Sequence, residues 1–360
     1  MATPGKTATK WPSRYTDPGK PSAKGGFGEG RVLTDTWLER SVFAKSIHHP
    51  KALPQLAREV AAISAIRSKY VVAIYEVVRS SGTIEGIIYE YLPGGTLSVG
   101  MFPNGSDLSG YLKTLYQLAS GIADIHEAGI VHRDIKLQNV KKDGEGILKI
   151  FDFGISSDFG DITNASRGTF YYLAPELFRK PAKISPAMDV YAFGASCWAL
   201  VTSSIPSCMF ERPPQSTTTV PSIKTVRPDL PDPIAKIIDE SLSVDPKARP
   251  TTEQIREILH RHLVKDRHKA FIGVATPQEL SARNRDIGLK DQAGFGEVRI
   301  RYNGLDFVVT HVKGEVFLNN RPVAVNEVLD HACVITFGHQ GRGAARSFVE
   351  FNSSHPEVVL

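Results

Sequence analysis

The segment His132-Arg133-Asp134-Ile135-Lys136-Leu137-Gln138-Asn139, followed at short distance by Phe151-Asp152-Phe153-Gly154, sets carboxylate, ammonium and amide groups among apolar residues. Any fold open to this chain has to bring those polar side chains to one place, and the patterning on either side says what surrounds them. Upstream, strand-like runs at Phe27–Leu33, Val42–Ile47, Val71–Val78 and Gly86–Tyr91 surround a helical Leu56–Ile66, which predicts a small sheet with one helix against it. After Pro93-Gly94-Gly95 the period changes. Leu112, Leu115, Leu118, Ile122 and Ile125 recur at helical spacing within 108–128. Further helices are predicted over Met188–Thr202, Pro233–Ser241 and Thr251–His262, the last with Thr251 as its N-cap ahead of Gln254. The stretch 203–230, rich in Pro, Ser and Thr, reads as a long loop.

From about Ala270 the chain turns to short β-like runs: Phe271–Val274, Glu297–Tyr302, Asp306–Val312, Glu315–Leu318, Cys333–Phe337 and Ser347–Phe351, with an Asn303-Gly304 turn. That spacing predicts a small all-β sandwich. At 360 residues the chain suits a large domain plus a smaller one. The 41% hydrophobic and 22% charged content is that of an ordinary globular protein. A formal charge of +5 is dispersed among acids rather than gathered in blocks, which argues against nucleic-acid and membrane partners. Cys197, Cys208 and Cys333 lack disulfide or zinc spacing, so a reducing, cytoplasmic setting is expected. Neither the apolar runs, such as 84–91, nor the opening 1–20 have the make-up of a membrane span or signal peptide. The opening residues read as a flexible arm.

Phosphoryl transfer asks a protein for positioning and charge stabilisation: a phosphate cradle, a cation, metal ligands and a group to orient the attacking hydroxyl. The sequence offers these in order. Gly25-Gly26-Phe27-Gly28 supplies a turn whose backbone can approach phosphates closely. Lys45, on a strand-like run, can reach phosphates, and Glu59 on the next helix can hold it. Asp134 can accept the hydroxyl proton, Lys136 can neutralise the moving phosphoryl group, and Asn139 with Asp152 offers oxygen ligands suited to Mg²⁺.

These motifs, with Ala174-Pro175-Glu176 downstream, resemble the signature set of the eukaryotic-like serine/threonine protein kinases over about 15–263. Asp189-Val190-Tyr191-Ala192-Phe193-Gly194 resembles the family's buried-Asp motif, and Arg249 the partner of Glu176. The resemblance implies an α+β, bilobal fold, with a β-rich N-lobe over 15–92 and a helical C-lobe over 93–263. It implies ATP and Mg²⁺ as cofactors and proteins as substrates. By the same resemblance Lys45 contacts phosphates, Glu59 pairs with it, Asp134 is the base, and Asn139 and Asp152 are the metal ligands. Lys136 and Gly168-Thr169 match the serine/threonine type. Tyr89-Glu90-Tyr91-Leu92 resembles the hinge, with adenine bound by the backbone of Glu90 and Leu92 and with Tyr89 as gatekeeper. Arg133 implies a phosphate-ordered activation loop, for which Thr163 and Ser166 are the candidate autophosphorylation sites.

Three positions depart from the family pattern. Ala23 replaces the first loop glycine, Gly30 stands where a Val is usual, and Phe43 where a small Ala is usual. The last two are read as a volume-conserving exchange in the roof over adenine. The competing reading is a pseudokinase scaffold in which the altered roof blocks nucleotide.

The run 271–352 resembles a forkhead-associated (FHA) domain, joined by a linker at 264–270 and followed by a tail at 353–360. The family's phosphothreonine-reading Arg falls on Val274, its Ser and His on Gly294 and Glu297, and its Asn on Lys313. The implied role is a degenerate interaction module that docks an unknown protein partner or the kinase domain itself.

Overall fold

The computed structural model describes residues 11–19, 23–25, 28–47, 53–80, 82–153, 157–158, 162–163, 170–179, 181–273, 277–354, 356 and 358. Two compact units emerge, Met1–Leu259 and His260–Leu360. In the first, strands β1 (Tyr15–Thr16), β2 (Ala23–Gly25), β3 (Gly28–Asp35), β4 (Arg40–Ile47), β5 (Ile74–Ser80) and β6 (Thr83–Glu90) form one sheet in the order β1-β3-β4-β6-β5, with β2 paired to β3. Leu33, Val42, Ala44, Val78 and Ile88 make a core on one face, to which Tyr15 is added. Because side chains alternate along a strand, Phe43 and Lys45 point to the other face. Helix α1 (Leu53–Ala65) turns Glu59 and Ile63 inward.

The sequence assigns 1–14 to a flexible arm, of which 1–10 lie outside the described residues; for 11–14 the structure differs. Trp11 packs against the sheet core, and a Cβ built on Gly86 would lie 2.4 Å from its ring, so the glycine leaves space for the indole. Arg14 pairs with Glu76, which also accepts from the Tyr15 hydroxyl at 2.7 Å. An apolar ring and an ion pair secure a segment whose Pro, Gly and Lys content suggested neither.

The helical part is built around α2 (Leu108–Glu127) and α3 (Ala187–Val201), with α4 (Asp232–Ser241) and α5 (Thr252–Leu263). All five apolar positions predicted on α2 are buried. Every residue from Met188 to Val201 is buried, so α3 runs through the middle of the core with no solvent stripe. At α5 the predicted cap forms reciprocally: the Gln254 amide donates to Thr251 Oγ1 at 3.3 Å, and the Thr251 amide to Gln254 Oε1 at 2.8 Å. The loop at 203–230 carries short 3₁₀ turns at Ser207–Phe210 and Ile223–Thr225. Buried Arg227 anchors the preceding 102–106 segment by donating to the carbonyls of Phe102, Pro103 and Ser106. No helix among the described residues is long and apolar enough to cross a membrane.

Among its described residues, the regular structure of the second unit is strand apart from one short 3₁₀ segment and the end of α5. One sheet runs Gln278–Ser281, Lys269–Ile272, Ser347–Ser353, Ala332–Phe337, Val316–Leu318, Arg321–Pro322, and another runs Asp286–Lys290, Gly296–Tyr302, Phe307–Gly314. Ile272, Leu280, Ile287, Ile300, Tyr302, Phe307, Ile335 and Phe351 from both sheets share one core. Its first strand opens at Lys269, inside the predicted linker, and its last ends at Ser353, the first residue of the predicted tail.

Candidate active site

The catalytic segment is fixed by a carboxylate beneath it. Asp189, in the first turn of α3 and fully buried, accepts the backbone amides of His132 at 2.7 Å and Arg133 at 2.8 Å. His126 Nε2 lies 3.0 Å from the same carboxylate, and its Nδ1 is 3.2 Å from Thr252 Oγ1. Burial pushes the Asp189 carboxyl up, but His126, His132 and the Arg133 amide outweigh that and leave it below the ordinary range. The helix N-terminus favours the same charge. Arg133 takes a left-handed backbone (φ 68°), a conformation costly for a non-glycine and held here by the two amide bonds. Burial lowers the pKa of His132, whose ring meets Phe153 edge-on at 4.6 Å.

Two groups then aim Asp134. Lys136 Nζ donates to its Oδ2 at 2.7 Å and Asn139 Nδ2 to the same oxygen at 3.0 Å, while Asn139 also holds the Asp134 carbonyl at 2.9 Å. Both side-chain donors fall on Oδ2, so neither of them occupies Oδ1. Because the Asn139 nitrogen faces Asp134, its amide oxygen points elsewhere and can serve a cation.

A short hairpin brings Asp152 beside Asn139. Val140–Lys142 pairs with Leu148–Ile150, Val140 opposite Ile150, and the Phe151 amide donates to the Asn139 carbonyl at 3.0 Å. Asn139 and Asp152 therefore leave the same end of the hairpin. Asp152 also has φ 68°, and its side chain is exposed while Phe153 is buried. A carboxylate and an amide oxygen are hard ligands that fit Mg²⁺, which takes its remaining ligands from water and phosphate. No cluster of three or more His, Cys, Asp or Glu is poised for a metal among the described residues.

On the sheet side, Lys45 Nζ meets Glu59 at 2.9 and 3.1 Å. Tyr89 adds a bond that the sequence does not signal: its buried hydroxyl donates to Glu59 Oε1 at 2.8 Å. Burial, then the Glu59 charge, raises the phenol pKa far above its ordinary value, so it stays a donor. Glu90 receives Lys149 at 3.1 Å and the Ala73 amide at 3.2 Å on its side chain, and its own amide donates to the Ala73 carbonyl at 2.9 Å, so both its side chain and its N–H are committed within the protein. Leu92 follows it and is buried. Gly25 and Gly28 pair across the β2–β3 hairpin. Gly26 and Phe27 lie outside the described residues, as do Gly154, Ser166 and the side chain of Thr163, whose backbone pairs with Ala182.

Arg249, fully buried at its side chain, grips Glu176 with two bonds of 2.7 and 2.8 Å and caps the Ala187 carbonyl at 2.8 Å. The expected pair thus ties the 175–178 turn to the start of α3. Phe43 sits against Gly30: a Cβ on that glycine would lie 2.3 Å from the ring's Cζ. The ring occupies the volume of the missing side chain, as a volume-conserving exchange requires.

Residues 23–262 match the family described as "Protein kinase domain". Among curated relatives, "Aurora/IPL1-related protein kinase 2" of Caenorhabditis elegans is 30% identical over 256 residues, 66% of this chain and 80% of the relative. "Probable serine/threonine-protein kinase pknA2" of Bifidobacterium longum is 27% identical over 249 residues, 64% of this chain and 32% of the relative. "CBL-interacting serine/threonine-protein kinase 1" of Arabidopsis thaliana is 29% identical over 200 residues, 52% of this chain and 45% of the relative. The chain thus spans less than half the length of the bacterial and plant relatives. With the family match covering Lys45, Asp134, Asn139 and Asp152, the chain belongs to the protein kinase family.

Proposed function

We propose that this chain is an ATP-dependent serine/threonine protein kinase, and that the paired grip of Lys136 and Asn139 on Asp134 is the observation that carries this reading. Lys45, braced by Glu59, orients the phosphates of ATP. Asp134 Oδ1 takes the proton of a Ser or Thr hydroxyl as its oxygen bonds to the γ-phosphorus, and the bond from that phosphorus to the β–γ bridging oxygen breaks to release ADP. Lys136 offsets charge on the transferring group. Asn139 and Asp152 would hold Mg²⁺, which supplies charge neutralisation at the phosphates. Proteins are the substrates under this reading. Arg133 lies beside the base, and supports Thr163 and Ser166 as sites of autophosphorylation. A blocked-roof pseudokinase is less well supported, because the Phe43 ring fills space that Gly30 vacates.

For the second unit we read a degenerate FHA-like sandwich serving as a protein-interaction module. In support, Glu297, at the position the resemblance gives to a phosphate reader, pairs with Lys290 at 2.9 Å and brings a negative charge that repels phosphate. Lys313 stands opposite Glu297 on the neighbouring strand, where the family has its Asn. Titration of the full chain with phosphothreonine peptides is expected to give no saturable binding; tight, phosphate-dependent binding would refute the degenerate assignment.

Two variants test the catalytic reading in one assay of transfer from labelled ATP. Asp134→Asn is expected to lower kcat by about 10³-fold while leaving ATP affinity within about threefold, since a general base contributes roughly 10²–10⁴. Full activity in that variant would refute the assignment. Tyr89→Phe removes one donor from Glu59 and keeps the ring. Its kcat is expected to fall about three- to tenfold with little change in Tm, a hydrogen bond to a charged group being worth about 1.5–3 kcal/mol in full. An unchanged kcat would show that Lys45 alone positions Glu59. Mass spectrometry of the wild-type incubation is expected to find phosphate on Thr163 or Ser166; phosphate on neither would remove the autophosphorylation proposal.

A further inference from the structure

Phe43 supplies something that the charged residues of the site do not. Strand pairing sets Gly30 opposite Lys45 and Val32 opposite Phe43, while β6 sets Tyr89 opposite Phe43. All of these positions share the face that carries Lys45, and the other face is closed by Leu33, Val42, Ala44 and Ile88. Phe43 stands on the Lys45 face and is only partly buried. Two residues along a strand span about 6.6 Å. Ring and ammonium are thus spaced to address the base and the phosphates of one nucleotide.

The contact with Gly30 holds the ring there. Besides Cζ at 2.3 Å, the ring's Cε2 and Cε1 lie 3.1 and 3.2 Å from a Cβ at that position. Gly30 is not among the glycines of positive φ, so it is the ring, not the backbone conformation, that a side chain there would meet. The two positions are coupled: a Cβ at 30 would force the ring at 43 to move.

We propose that Phe43, seated in the space left by Gly30, is the residue that determines nucleobase specificity, presenting one flat aromatic face to the base in place of two small aliphatic groups. The proposal rests on the ATP-dependent reading above and adds to it a selection for purines, whose two fused rings overlap an aromatic face more fully than a pyrimidine does.

The test is competition of ATP, GTP, CTP and UTP against a fluorescent ATP analogue, with Mg²⁺, on the full chain as wild type, Phe43→Ala, Phe43→Leu, Gly30→Val and the Gly30→Val/Phe43→Ala double variant. Thermal melts without nucleotide confirm that each is folded. Phe43→Ala and Gly30→Val are each expected to weaken ATP by about tenfold, and the double variant to return within about threefold of wild type. Phe43→Leu, apolar but not flat, is expected to lose most of the preference for ATP and GTP over CTP and UTP. Single-variant losses that multiply in the double variant, or a purine preference that survives Phe43→Leu, would overturn the proposal while leaving the kinase reading intact. A wild type that binds no ATP would overturn both.

Discussion

One buried carboxylate supports the whole catalytic surface. Asp189 sits at the first turn of a helix with no exposed face, and it binds the backbone, not the side chains, of His132 and Arg133. Backbone amides cannot rotate away, so the bonds fix the path of the chain into Asp134 and sustain the left-handed turn at Arg133. Each hydrogen bond to a charged group contributes about 1.5–3 kcal/mol, enough together to offset the cost of that conformation. His126, Thr252 and Arg249 gather around the same end of α3, so the segment leading into Asp134 is anchored to a helix buried from Met188 to Val201.

The sheet side works by a different device. Lys45, the proposed phosphate ligand, is oriented by Glu59, which is itself held by Tyr89. Tyr89 and Phe43 are cross-strand neighbours, one bonding toward α1 and the other filling the place beside Gly30. Two aromatic side chains thus restrict Glu59 and the space beside Gly30, as the hydrogen bonds to Asp189 restrict the backbone at His132 and Arg133. In the proposed kinase reading, a rigid platform under Asp134 faces a sheet whose Lys45-bearing side carries Phe43 and Tyr89.

Much of this was legible from residue order. The period change after Gly95 marked the shift from sheet to helices, the α5 capping box was readable from Thr251 and Gln254, and the apolar positions of α2 all proved buried. Asp134, Asn139 and Asp152 could be picked out because their spacing is local, set by a short hairpin. Contacts that join distant strands were less visible. Nothing in the sequence around Tyr89 says that its hydroxyl reaches a helix thirty positions away, and Trp11 reads as part of an arm until Gly86 is seen to leave room for it. Phe43 and Gly30 were each visible as departures, but their direct contact depends on strand register.

Phosphoamino-acid analysis tests the central claim most directly. After incubation of the full chain with γ-labelled ATP, Mg²⁺ and a generic protein acceptor, the label is expected on phosphoserine and phosphothreonine and to be lost in the Asp152→Ala variant. Absence of transfer by the wild type, or label confined to phosphotyrosine, would contradict the account.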